Sequence, residues 1–82
     1  MVMTTFERRM LTIPPGASRV PGDVDWPSAI VLVTQGELEL EGASGTRRRF
    51  GSGDLIWLHD VPLRALHNPG PGDVVLLGVF QA

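Results

Sequence analysis

The 82-residue chain contains no cysteine and no lysine. Without cysteine there is no disulfide scaffold, no thiolate zinc site and no cysteine nucleophile. Without lysine there is no Schiff-base chemistry, and all seven basic residues are arginine. No apolar run approaches the roughly 18 residues that a membrane helix requires. The stretch from Met1 to Met10 carries Glu7, Arg8 and Arg9 and lacks the apolar centre of a signal peptide. A soluble cytoplasmic protein with no membrane partner is the expectation. Net charge is −2, and Arg47-Arg48-Arg49 is the one basic run, so nucleic acid is not an expected partner either.

Hydrophobic residues make up 43% and charged residues 20%, which fits a folded domain rather than a disordered chain. The length suits one domain, spanning residues 1–82, and a chain this short buries only roughly 60–65% of its unfolded surface. Ten glycines and seven prolines leave no clean stretch of helix length. Pro14-Pro15-Gly16, Pro21-Gly22, Gly51-Ser52-Gly53 and Asn68-Pro69-Gly70-Pro71-Gly72 are turn signals. Between them, short runs rich in branched and aromatic residues predict strands at about Phe6–Ile13, Ala29–Thr34, Glu37–Glu41, Arg47–Phe50, Leu55–Leu58, Leu63–His67 and Val74–Phe80. The expected class is all-β, an antiparallel sandwich or barrel.

The sharpest local pattern is Glu37-Leu38-Glu39-Leu40-Glu41, whose strict alternation puts leucines on one face and glutamates on the other. Its hairpin partner is Arg47-Arg48-Arg49-Phe50. Setting Glu41 opposite Arg47 places Leu40 by Arg48, Glu39 by Arg49 and Leu38 by Phe50. This register stacks opposite charges outside and an apolar pair inside. It leaves Arg48 on the inner face, where it either ends in water at the hairpin tip or holds an anionic ligand group.

At Val33-Thr34-Gln35-Gly36-Glu37-Leu38 and Gly53-Asp54-Leu55-Ile56-Trp57-Leu58 the sequence resembles a cupin, the small jelly-roll β-barrel family. The resemblance runs from about Ile13 to Phe80. The family's second motif is Gly, five residues, Pro, one residue, Gly, two residues, His, three residues, Asn. Gly53 and Asn68 stand at its ends, while His59, Val61 and Arg64 replace the proline, the second glycine and the metal-binding histidine. In the first motif Gly36 is retained, Ala29 takes the glutamate position, and Asp23 and Asp25 fall where the family has two histidines. No metal ligand of the family is kept, and the resemblance implies a barrel without a metal or other cofactor.

Arginine cannot ligate an ordinary cation, because guanidinium stays protonated and offers no lone pair. In the resemblance's register Arg64 points inward, stands in for the ion's charge and pairs with Asp23 and Asp25. Alternation with Leu63 and Ala65 allows an outward Arg64 equally, and the two aspartates also suit a solvated turn. Two close carboxylates raise one pKa and supply a base, with Arg64 stabilising an enolate-like oxygen. His59 is a candidate acid, base or substrate contact at the barrel mouth. Trp57 is read as core or as cavity wall, and Trp26 as entrance, interface or buried group. His67 is expected on the surface or at an interface. Ser28, Ser44 and Ser52 sit in loops or at edges, so no Ser-His-Asp arrangement is expected.

The resemblance thus implies a cofactor-independent isomerase or cyclase of specialised metabolism acting on a small, largely apolar molecule. Asp23, Asp25 and Arg64 are its candidate catalytic residues, and Arg48, Trp57 and His59 its candidate substrate contacts. The alternative is a non-catalytic binding or sensory module that kept the barrel and lost the chemistry. A metal-dependent barrel with unusual oxygen ligands is a third possibility. The resemblance also implies a homodimer, with Phe6–Ile13 extending the partner's sheet.

Overall fold

The computed structural model describes residues 5–20, 30–58 and 62–81. Among the described residues eight strands form in chain order: β1 (Phe6–Ile13), β2 (Ser18–Arg19), β3 (Ile30–Gln35), β4 (Glu37–Gly42), β5 (Arg47–Gly51), β6 (Leu55–Trp57), β7 (Leu63–His67) and β8 (Val74–Gln81). They make two antiparallel sheets, β1-β8-β3-β6 (sheet A) and β2-β7-β4-β5 (sheet B). Pairing β1 with β8, β2 with β7, β3 with β6 and β4 with β5 is a hairpin wound on itself, the nesting of a jelly roll. The all-β expectation therefore holds. Seven strands fall where the sequence predicts them, and the two-residue β2 is new. Among the described residues no helix is long and apolar enough to cross a membrane.

The β4–β5 register is the one expected from charge pairing, with Glu41 opposite Arg47, Leu40 opposite Arg48, Glu39 opposite Arg49 and Leu38 opposite Phe50. Alternation then decides what is buried. Leu38 and Leu40 face Val31, Val33, Ile56, Leu66, Val74, Leu76 and Ile13, all with less than a tenth of their surface exposed. Each such side chain stabilises the fold by roughly 1.5–3 kcal/mol on burial.

The residues that match the family motifs hold this frame together. Gly36 joins β3 to β4 at φ +82°, and a Cβ there would lie 2.5 Å from the Asp73 carbonyl oxygen. Gly53, at φ +94°, makes the β5–β6 turn, and its N–H donates to the Val33 carbonyl at 2.7 Å. Both conformations favour glycine. The Asn68 side chain is buried and donates from Nδ2 to the Ile13 and Gly72 carbonyls, each at 2.8 Å. Its Oδ1 accepts from the Gly70 N–H at 3.0 Å. One amide so ties the β7–β8 loop to the end of β1.

The two outer faces differ in chemistry. Sheet B turns Glu39, Glu41, Arg47, Arg49, Ser18 and His67 outward. Sheet A turns out two cross-strand rows, Arg8–Val79–Ile30–Trp57 and Met10–Leu77–Leu32–Leu55. Of these, Met10, Ile30, Leu55 and Trp57 are large apolar groups open to solvent.

Candidate functional site

The β4–β5 hairpin closes through Gly42-Ala43-Ser44-Gly45-Thr46, with the Gly42 N–H donating to Thr46 at 2.8 Å and the Gly45 N–H to Gly42 at 2.9 Å. The Ala43 N–H donates to the Pro62 carbonyl at 2.8 Å, which draws the hairpin tip against the entry to β7. Between them lies a cavity of about 410 Å³. Leu40, Pro62 and Leu63 form its apolar wall, Ser44 and Thr46 bring hydroxyls 3.1 Å apart, and Arg48 brings the charge. Leu40 and Arg48 are cross-strand partners, so both belong to the inner face.

Among the described residues the space below is filled. Val31, Leu38, Leu40, Ile56, Leu58, Leu66 and Leu76 close around its middle and leave no room for a water molecule. The described residues do not fit the divalent cation that a metal-bearing cupin holds there. They contain no cluster of three or more His, Asp or Glu side chains able to ligate one. Aliphatic carbon occupies the centre, and the family's histidine position is an arginine turned away from it.

That orientation corrects the inward placement of Arg64. Glu41 pairs with Ala65 and Gly42 with Leu63, so Arg64 is an extra residue on β7, a β-bulge. The bulge breaks alternation: Leu63 and Leu66 keep to the core side while Arg64 swings outside. There Nη1 donates to Glu41 Oε2 at 3.3 Å and Nη2 to the Ala43 carbonyl at 3.0 Å. A guanidinium so placed stabilises no charge inside the barrel. Trp57 is likewise not core, and it lines none of the cavities formed by the described residues. Ile56 and Leu58 point inward, so Trp57 points outward from sheet A and is 67% exposed. Arg48 does line the cavity. Asp23, Asp25, Trp26 and His59 lie outside the described residues.

Sequence reasoning missed a second constellation, on the outer face of sheet B. Ser18 Oγ lies 2.6 Å from His67 Nδ1, and His67 Nε2 lies 2.8 Å from Glu41 Oε1. Glu41 also receives Arg64 at 3.3 Å and Arg47 at 3.6 Å. Its carboxyl titrates below the usual range, because the His67 hydrogen bond favours the charged form; desolvation opposes this, and Arg47 and Arg64 add to it. Glu41 is therefore an ionised acceptor for which three donors converge. The His67 half of this was visible as a surface position. Ser18, 49 residues away, carries no local signal.

No family model matches the chain, and no curated protein does. Solved structures do. The chain is similar to a Cupin 2 conserved barrel domain protein from Salinispora arenicola CNS-205, with TM-score 0.73 and 26% identity over 90% of this chain. It spans 60% of that structure's length. It is also similar to the Cupin_2 domain of an XRE family transcriptional regulator from Enterobacter cloacae, with TM-score 0.68 and 20% identity over 90% of this chain and 78% of that one. A de novo designed double-stranded β-helix gives TM-score 0.61 and 23% identity, over 93% of this chain and 99% of the designed one. These likenesses agree with the nested strand order, the Gly36 and Gly53 turns and the buried Asn68: this chain has the jelly-roll barrel fold of the cupin domains it resembles.

Proposed function

We propose that the barrel is a small-molecule-binding module whose ligand is largely apolar and carries one anionic group. The observation that carries this reading is Arg48. It is an inner-face guanidinium in a cavity with apolar walls, and no described carboxylate pairs with it. A guanidinium with no partner among the described residues, set beside hydroxyls, is a fork for a carboxylate, and the apolar wall favours the rest of the molecule. A sensory role is compatible with the Enterobacter domain, which belongs to a transcriptional regulator. The isomerase or cyclase alternative would draw its base from Asp23, Asp25 or His59, without Arg64.

The test is calorimetry and thermal shift with a panel of medium-chain alkanoates and arylacetates, each matched with its neutral amide. Acids are expected to bind and amides to bind weakly, with Arg48→Ala lowering acid affinity about 10- to 100-fold. Equal affinity for acids and amides would overturn the assignment of Arg48. Recovering the bound molecule unchanged supports a binding module, whereas conversion to an isomer or cyclised product supports the enzyme.

We propose further that two copies pair through the outer face of sheet A. A two-fold axis along the strands lays each row over its own reverse. Arg8 then covers the partner copy's Trp57, Val79 its Ile30, Met10 its Leu55 and Leu77 its Leu32. The arrangement sets a cation on an indole face and apolar groups on apolar groups, which makes the face complementary to itself. An edge-to-edge extension through β1, by contrast, would leave these rows in water.

A further inference from the structure

The outer face of sheet B holds an arrangement that neither the barrel cavity nor the fold requires. Ser18, on the outer strand β2, faces His67 on β7, with Oγ 2.6 Å from Nδ1. His67 Nε2 is 2.8 Å from Glu41 Oε1. An ionised carboxylate only accepts, so Nε2 carries the proton and donates to Glu41. In the neutral ring Nδ1 is then the lone-pair nitrogen, and the Ser18 hydroxyl donates to it. Arg64 and Arg47 hold the Glu41 carboxylate in place from its other sides. The Arg19 guanidinium sits 3.0 Å from the Ser18 carbonyl oxygen, which brings positive charge to the same residue.

We propose that Ser18, His67 and Glu41 form a nucleophilic relay that accepts acyl groups from small, unhindered carboxylic esters. A nucleophile on a base, and the base on an orienting acid, is the arrangement that acyl transfer needs. Ser18 Oγ attacks the ester carbonyl carbon while its proton passes to His67 Nδ1. The imidazolium keeps its Nε2–H on Glu41, which balances the new charge. The intermediate collapses, the C–O bond to the alcohol breaks, and the alcohol leaves with the proton from His67. Water then attacks the acyl-Ser18 through the same base, giving acid, alcohol and the free hydroxyl. Glu41 is a positioning residue; it never meets the substrate. Ser18 is exposed on an open sheet face, which suits short acyl groups and stands apart from the inner-face cavity.

The test is reaction of the folded, full-length protein with a fluorophosphonate probe and with p-nitrophenyl acetate, followed by peptide mass mapping. One phosphonyl or acetyl group is expected on Ser18, absent from Ser18→Ala and from wild type unfolded in denaturant. His67→Gln should slow the reaction about 100-fold or more. Glu41→Gln should slow it and also remove a downfield imidazole N–H resonance from the proton spectrum, which loss of folding stability alone would not do selectively. Adducts scattered over several hydroxyls, or equal labelling of folded and unfolded wild type, would overturn the relay, and neither result depends on a variant folding. Ser18 labelling unchanged by His67→Gln would overturn it as well.

Discussion

Arg64 and Glu41 meet on the outside of the barrel, Nη1 to Oε2 at 3.3 Å, across the β-bulge that displaces Arg64 from the core. The pair is solvated on the arginine side, where 59% of the side chain is exposed. Solvated pairs of this kind contribute little, so Arg64→Gln is expected to cost about 0.5–1 kcal/mol in urea unfolding. An arginine buried against carboxylates inside the barrel would cost about 3–5 kcal/mol to remove. A loss of that size would place the side chain inside.

The same pair shows what alternation does and does not disclose. Glu37 to Glu41 disclosed its face, its partner strand and its register, because opposite charges and leucines agree on a single alignment. Ile56 and Leu58 also disclosed that Trp57 faces out, but its size favoured a reading as core or cavity wall. The bulge was not legible. It depends on one inserted residue, and the Ala43 N–H bond to Pro62 that holds it joins positions separated by the whole of β5 and β6. Parity after such a residue reverses, so the motif spacing pointed Arg64 to the wrong side. Strand β2 was invisible for a related reason: Ser18 and Arg19 show no pattern until β7 lies beside them. The relay from Ser18 to Glu41 therefore needed three strands in register before any of it could be seen.

Glu41 makes stability depend on pH in a definite direction. Its folded-state pKa lies below the ordinary carboxylate value of 4.5. The ionised form is thus favoured by folding, and its contribution is complete above that value and lost as the pH falls through the lower one. Wild type is expected to exceed Glu41→Gln in stability at neutral pH, and the gap should close in acid below 4.5. Denaturant melts of both proteins across the acid range measure it. A gap that widens on acidification would contradict the direction.

Asn68 is the buried polar group with the most to lose. Replacing it with alanine leaves the Ile13 and Gly72 carbonyls and the Gly70 N–H without their side-chain partner. Orphaned buried groups cost about 1–3 kcal/mol each, and some here can be rehydrated from the loop side. The expected loss is about 3 kcal/mol, which for a domain of this size lowers the melting temperature by roughly 15 °C. A calorimetric scan of Asn68→Ala reads it directly, and a shift of only a few degrees would mean the loop is held by something else.

The apolar face of sheet A carries the prediction about assembly. Four strands about 4.8 Å apart, read over two cross-strand rows and their neighbours, give a face roughly 20 Å on a side. That is on the scale of patches that mark interaction sites, although a stable dimer usually covers about 800 Å² per partner. Phe6, on the same face of β1 as Arg8 and Met10 and 65% exposed, extends the patch. Wild type is expected to sediment as a dimer. Leu55→Glu puts a carboxylate under the partner's Met10, and Trp57→Glu removes the indole under the partner's Arg8. Leu55→Glu should yield monomers with an unchanged far-ultraviolet spectrum, whereas Trp57→Glu, by offering Arg8 a carboxylate, should weaken the dimer less. That order follows from the strand-parallel axis, since an axis across the strands would stack β6 on β6 and make both carboxylates disruptive. A wild-type monomer at every concentration would remove the dimer altogether, and a dimer indifferent to Leu55→Glu would move the interface to another surface.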